Sequence, residues 1–293
     1  MTIETFLSTI AALSGLLFVV ASMLAMGLSL TMAQITGPLK NVRLVALALL
    51  ANFVLVPALA FLITRVIPLD PGLQTGLIIL STVAGAPFLV TEVQAAKGNL
   101  ALGVGLMFML MIVTIFYVPL VLPMLLQGVE VNPWDIAKSL IVTMLLPIIL
   151  GLIYRSHSAE EAGQWAATLN KASGLALLVM LIIKLGLNIS NILSLIGSFG
   201  FLALLLFVVG SLLIGFLVGG RDPGVRSVMG LGTAQRNVSA AILVAVQNFS
   251  GTPTVSFVLV AALLLLLILL PTAKRLGARR EAAAPVQQAA GQV

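Results

Sequence analysis

Arg236 lies in the run Gly230-Leu231-Gly232-Thr233-Ala234-Gln235-Arg236-Asn237, inside an apolar stretch from about Ser227 to Phe249. Ten residues separate it from Arg226 at the start of that stretch. At a helical rise of ~1.5 Å per residue this is ~15 Å, about half of a ~30 Å hydrocarbon core. A guanidinium at such depth costs at least ~2.5 kcal/mol on insertion scales, so it must face protein or a water-filled cavity. Its neighbours are Gly, Thr, Gln and Asn, which interrupt helices and coordinate ligands. The pattern describes an anion-binding site inside a membrane protein, with Thr233, Gln235, Arg236 and Asn237 as candidate contacts.

A second irregularity falls in Ala84-Gly85-Ala86-Pro87-Phe88, midway along an apolar segment that continues through Thr91, Glu92 and Gln94 to Lys97. Pro87 has no N–H and disfavours helix at Ala86, and Gly85 loosens the backbone further. Ala86, Pro87, Phe88 and Thr91 join the candidate substrate contacts. Glu92 is the only acid within a span on this side of the molecule. It has three readings: a charge partner for Arg236, a proton-coupling carboxylate, or a side chain that snorkels to the interface, little more than one turn from Lys97.

The elements that position these residues are nine apolar segments, at about 5–34, 42–66, 72–97, 99–126, 134–154, 166–188, 199–219, 227–248 and 253–273. Each is long enough to cross a bilayer. Turn chemistry separates them, as in Thr36-Gly37-Pro38, Pro68-Leu69-Asp70-Pro71-Gly72, Asn132-Pro133 and Arg221-Asp222-Pro223-Gly224. With the N-terminus outside, Lys40, Arg43, Lys97, Arg155, Lys171, Arg221, Arg226, Lys274, Arg275, Arg279 and Arg280 fall on the cytoplasmic side, and only Arg65 and Lys138 fall outside. That bias predicts N outside and C inside. Met1 to Ser8 holds Glu4 and neither Lys nor Arg, so the first span is expected to be retained rather than cleaved. The tail 281–293, rich in Ala, Gln and Gly, reads as a disordered cytoplasmic extension.

The two interrupted segments are five apart, so they cross in opposite directions. This predicts an inverted repeat relating segments 1–4 to segments 6–9, with the two breaks crossing. Paired interrupted helices are the best sequence pointer to a transporter's binding site. Lys184, with Asn188 and Asn191, reads either as an interfacial cation or as part of an outer mouth to that site.

Composition narrows the function classes. The 293 residues are 60% hydrophobic and only 8% charged, against ~25% charged in average globular chains, which excludes a soluble protein. No cysteine is present, so thiolate metal sites and a Cys nucleophile are excluded. One histidine, His157, lies in a polar stretch and reads as solvated; no metal site can be assembled around it. The net charge of +6 sits at segment ends rather than in a patch, so nucleic acid is not a partner. No Ser/His, paired-Asp or H-E-x-x-H constellation supports an enzyme.

The chain resembles the bile acid:sodium symporter family over nearly its whole length. The resemblance rests on Met26-Gly27-Leu28-Ser29-Leu30, Ala51-Asn52-Phe53 with Pro57, Ala96-Lys97-Gly98-Asn99-Leu100-Ala101-Leu102, and Gln235-Arg236-Asn237. It implies an all-α membrane protein of nine transmembrane helices with two broken, crossing helices. These helices form one unit over 1–280, with a panel domain of segments 5–34, 134–154 and 166–188 and a core domain of 42–126 and 199–273. It also implies transport of a small organic anion by alternating access, in a bilayer expected to be a bacterial inner membrane. In sodium-coupled members, the resemblance implies, an acidic residue and a Gln-Asn pair on the second broken helix hold sodium. Here those positions read Gly232, Arg236 and Asn237. The hydroxyl and amide ligands elsewhere fall at Leu89, Val90, Gly103 and Met107. Asn52, with Gln235, is what remains of a possible sodium site. Arg236 is therefore expected to act as a tethered cation in place of a bound sodium, and no other cofactor is expected. Sodium-coupled symport, and an anion receptor that does not transport, stand as alternatives.

Overall fold

The computed structural model describes residues 3–126, 132–187 and 198–290, and helix is the only regular structure among them. In chain order the helices are α1 (Ile3–Ser29), α2 (Met32–Thr36), α3 (Val42–Val66), α4 (Pro71–Thr82), α5 (Leu89–Ala95) and α6 (Leu100–Leu125). They continue as α7 (Pro133–His157), α8 (Ala159–Leu187), α9 (Gly200–Val218), α10 (Pro223–Ala234), α11 (Val238–Asn248) and α12 (Pro253–Ala290). Seven of these, α1, α3, α6, α7, α8, α9 and α12, are long and apolar enough to cross a membrane. The pairs α4/α5 and α10/α11 are interrupted helices, at the two places where the sequence predicts breaks.

Two expected boundaries differ. The first segment does not run on to residue 34: α1 stops at Ser29, and a new helix starts after Thr31. Thr31 and Gln34 form a capping box, which satisfies helix-start N–H groups and makes a fresh start there favourable. The tail expected to lack structure continues α12 as helix to Ala290. Its run Glu281-Ala282-Ala283-Ala284 is a strong helix former joined to an existing helix, so no new nucleus is needed.

Helices α1, α7 and α8 pack on one another. Gly27 and Gly151 let α1 and α7 meet backbone to backbone: a Cβ on Gly27 would stand 2.3 Å from the Ile148 carbonyl oxygen. Ser173 Oγ on α8 donates to Phe18 O at 3.1 Å, and Arg155 Nη1 on α7 donates to Leu28 O at 2.8 Å. The remaining long helices, α3, α6, α9 and α12, surround the two interrupted ones. Large apolar side chains point outward along the long helices, among them Leu13, Phe61, Leu62, Phe116, Leu205 and Leu217. Such a surface suits lipid, which imposes no penalty on exposed leucine.

Helix α3 carries a π-helical turn, Ala51–Leu55, just before Pro57. Proline has no N–H to give to the carbonyl four residues back, which is Phe53 O. Tyr117 on α6 supplies the missing donor, its hydroxyl lying 2.6 Å from Phe53 O. The two rings also pack, with centroids 4.7 Å apart. This turn places Asn52 against the second break. Helix α7 repeats the device, with a π-helical turn Ile141–Leu145 before Pro147.

Candidate functional site

The first break spans Val83 to Phe88. A break inside a bundle leaves carbonyl groups that no water can reach, so each needs a partner. The accounting closes here almost completely. Thr82 Oγ1 donates to Ile79 O at 2.8 Å. Arg236 Nε donates to Leu80 O at 3.0 Å, and Arg236 Nη2 to Ser81 O at 2.9 Å. The Asn237 N–H donates to Val83 O at 3.3 Å, and Asn237 Nδ2 to Gly85 O at 3.1 Å. Thr114 on α6 serves both groups of Ala84: its hydroxyl accepts from the Ala84 N–H at 2.9 Å and donates to Ala84 O at 3.1 Å. Gly85 has φ +77°, and a Cβ there would stand 2.1 Å from the Met111 nitrogen, so both the conformation and the contact with α6 require glycine.

The second break, Gln235 to Asn237, is held by the first. Asn237 Oδ1 accepts from the Ala240 N–H at 3.1 Å and caps α11, while its amide crosses to Gly85. The two breaks therefore touch through Arg236 and Asn237.

Arg236 is wholly buried. Besides Leu80 O and Ser81 O, its Nη1 donates to Thr233 O at 3.0 Å and to Asn52 Oδ1 at 2.9 Å. Leu80 and Ser81 end α4, and Thr233 ends α10. The guanidinium thus sits against the C-terminal ends of two half-helices, each equivalent to about half a negative charge. One fixed positive charge balances the pair, and four of its five N–H donors are used.

The candidate residues separate into two groups. Arg236, Asn237, Thr233 and Asn52 form a closed network without an atom open to a ligand, and Ala86 is buried beside it. Direct substrate contact by Arg236, expected from the sequence, is not what this geometry provides. Pro87, Phe88 and Thr91 form an open face, half-buried or exposed, continued by exposed Gln94. Gln235 is buried, and its Oε1 has no hydrogen-bond partner. Asn52 Oδ1, the oxygen expected to remain for sodium, is engaged by the guanidinium.

Glu92 does not pair with Arg236, and it does not snorkel. Its side chain is fully buried in α5, and neither carboxyl oxygen has a hydrogen-bond partner. Lys97 instead pairs with Glu281 on α12, and Arg280 donates to Lys97 O. A cleft of about 440 Å³ near the starts of α3 and α6 is lined by Gln34, Lys40, Asn41 and Asn99 among others, and none of the crossing residues lines it. His157 is exposed at the end of α7. Asn188 and Asn191 lie outside the described residues. The sequence reading missed Thr114, Tyr117 and the carbonyls of Leu80, Ser81 and Thr233. Only Pro57 hinted at one of these partners, by withdrawing the donor that Tyr117 replaces.

An all-helical bundle with seven membrane-length helices, and two interrupted helices joined at a buried cation, has the character of a membrane transporter. Comparison with known proteins agrees. Residues 16–195, more than half of the chain, match the model of the Sodium Bile acid symporter family, and the chain belongs to that family. It is an integral membrane protein. The matched stretch holds Asn52, the first break and Glu92. The chain is also 32% identical over 136 residues to the probable sodium/metabolite cotransporter BASS2, chloroplastic, of Oryza sativa subsp. japonica. That alignment covers 46% of this chain and 32% of the relative's length.

Proposed function

We propose that this chain moves a small organic anion across the membrane by alternating access, with Arg236 as a built-in cation where relatives bind sodium. Seven whole spans and two interrupted ones make nine crossings, with the N-terminus outside and the C-terminus cytoplasmic by the distribution of Lys and Arg. Helices α1, α7 and α8 serve as the panel, and the rest as a core built on an inverted repeat. The anion binds on the open face of Pro87, Phe88 and Thr91, beside the first break.

The observation that carries this reading is the set of oxygens around Arg236: Leu80 O, Ser81 O, Thr233 O and Asn52 Oδ1. Carbonyls at half-helix C-termini are the groups with which transporters of this general kind hold a coupling cation. Here a guanidinium takes their lone pairs.

The test is counterflow in proteoliposomes with labelled α-ketobutyrate, α-hydroxybutyrate and a bile acid. Sodium-independent exchange of one of them is expected. Failure of all three to exchange would sink the transport reading and leave anion binding without transport. A second reading, sodium-coupled symport, is favoured by the relative's description and by the unpartnered Gln235 Oε1. Exchange that requires sodium would establish it.

A further inference from the structure

Glu92 is the one feature of the crossing that the reading above leaves unused. It lies one turn into α5, the half-helix whose other face carries Phe88, Thr91 and Gln94. Leu89, Glu92, Val93 and Ala96 form the opposite, buried side. Helices α6, α10 and α12 pack over α5. Their titratable and charged groups are Tyr117 on α6, Arg226 on α10, and Lys274, Arg275, Arg279, Arg280 and Glu281 on α12. Tyr117 is bonded to Phe53 O, Arg226 lies over the Phe216 ring, and Arg280 and Glu281 are engaged with Lys97. None of them hydrogen-bonds or ion-pairs with Glu92, and Arg236 is enclosed elsewhere.

A carboxylate sealed from water without a donor or a counter-charge is too costly to keep ionised, so the position demands a bound cation. Sodium would need several oxygen ligands, and no side chain or N–H group hydrogen-bonds to the carboxyl oxygens. A proton needs one oxygen. The carbonyl cage thus holds a guanidinium instead of a mobile ion, and the adjoining half-helix carries a buried carboxyl group.

We propose that Glu92 is a proton-binding site that couples transport to protons: it binds one proton from the side where it becomes accessible, crosses neutral in the buried arrangement seen here, and releases it with the anion on the other side. This rests on the transport reading above, so the first test needs no substrate. Infrared spectroscopy of the reconstituted protein at neutral pH should show the C=O stretch of a buried carboxylic acid. That band should vanish in Glu92→Gln and move in Glu92→Asp, which covers the case of a poorly folded glutamine variant. The second test is uptake of whichever of α-ketobutyrate, α-hydroxybutyrate or the bile acid exchanges in counterflow. In the wild type, accumulation should rise about tenfold for each unit of inward pH gradient, and in Glu92→Gln it should no longer respond to the gradient. Exchange by the wild type with no carboxylic acid band overturns the coupling alone, as does a band that survives Glu92→Gln. A band lost in Glu92→Gln, with none of the probes exchanged, overturns the transport reading and the coupling with it, leaving a buried protonated carboxyl.

Discussion

Arg236→Gln places at the cage the residue that the family resemblance puts there, and it tests the tethered cation directly. The change deprives Leu80 O, Ser81 O, Thr233 O and Asn52 Oδ1 of their donors. A buried acceptor left unpaired costs about 1–3 kcal/mol. The glutamine amide offers two donors, so at least two of the four oxygens stay bare, a loss of about 2–6 kcal/mol in a cation-free buffer. Native stabilities are about 5–15 kcal/mol, so the variant should survive but melt lower. At ~2–4 °C per kcal/mol for a chain of this size, the fall should be roughly 5 °C or more.

Sodium should then restore what the substitution removed. Four protein oxygens already arranged for a cation, with the glutamine oxygen beside them, form a hard-cation site. Sodium at a hundredfold over its Kd would return about 2.7 kcal/mol. The assay is melting of detergent-purified wild type and variant in sodium chloride and in choline chloride at equal ionic strength. The expected pattern is no sodium-specific effect on the wild type and a sodium-specific rise in Arg236→Gln. A sodium-specific rise of several degrees in the wild type would refute the reasoning. So would a variant that melts like the wild type in choline, because the cage would then not depend on the guanidinium.

Two further outcomes follow from the crossing. Thr114→Val keeps the shape of the side chain but leaves the N–H and the C=O of Ala84 unpaired, so a loss of about 2–6 kcal/mol is expected, read as a lower melting temperature. Thr91→Trp adds bulk to an exposed position on the proposed substrate face; stability should change by no more than about 0.5 kcal/mol, while counterflow exchange should fall at least tenfold. Unimpaired exchange in this variant would place the substrate elsewhere.

The long helices were legible because a run of about twenty apolar residues matches the thickness of a bilayer and exceeds what a buried helix of a small soluble core needs. Both breaks were legible too, from Pro87 with Gly85 and from the polar cluster around Arg236. The buried charge could be located by counting residues from Arg226. The partners of that charge could not be read, because three of its four acceptors are backbone carbonyls, and a carbonyl has no letter in the sequence. Leu80 and Ser81 matter only as the last turn of α4, at a separation of about 155 residues from the arginine that binds them. Thr114 and Tyr117 were nearly as silent: Pro57 shows that a donor to Phe53 O is missing, but one threonine and one tyrosine in an apolar helix carry no sign of which broken backbone they will close. Of the three readings of Glu92, the interfacial one rested on its nearness to Lys97 along the chain, but α6, α10 and α12 cover it, and helix packing decides burial where sequence distance does not.

On the proposed reading, a fixed cation at the crossing changes what drives transport. Two half-helices end there and two begin there, and each end is equivalent to about half a charge, negative at the C-termini and positive at the N-termini, so their fields nearly cancel. An anion is favoured only when something neutralises the C-terminal ends. A sodium ion does that and adds the energy of its own gradient, because it travels with the substrate. On the proposed reading Arg236 performs the first task but cannot leave, and without a co-ion each anion would cross carrying its full charge. Against an inside-negative potential that costs about 2.3 kcal/mol per 100 mV for inward movement. A proton on Glu92 cancels the moving charge. On the proposed reading, uptake of a monocarboxylate by the wild type is therefore indifferent to a potential set by potassium and valinomycin, whereas uptake by Glu92→Gln falls as the interior is made more negative. Measuring uptake at two potentials in both proteins decides the matter: a wild type that slows with negative potential as steeply as the variant would show that no proton accompanies the anion.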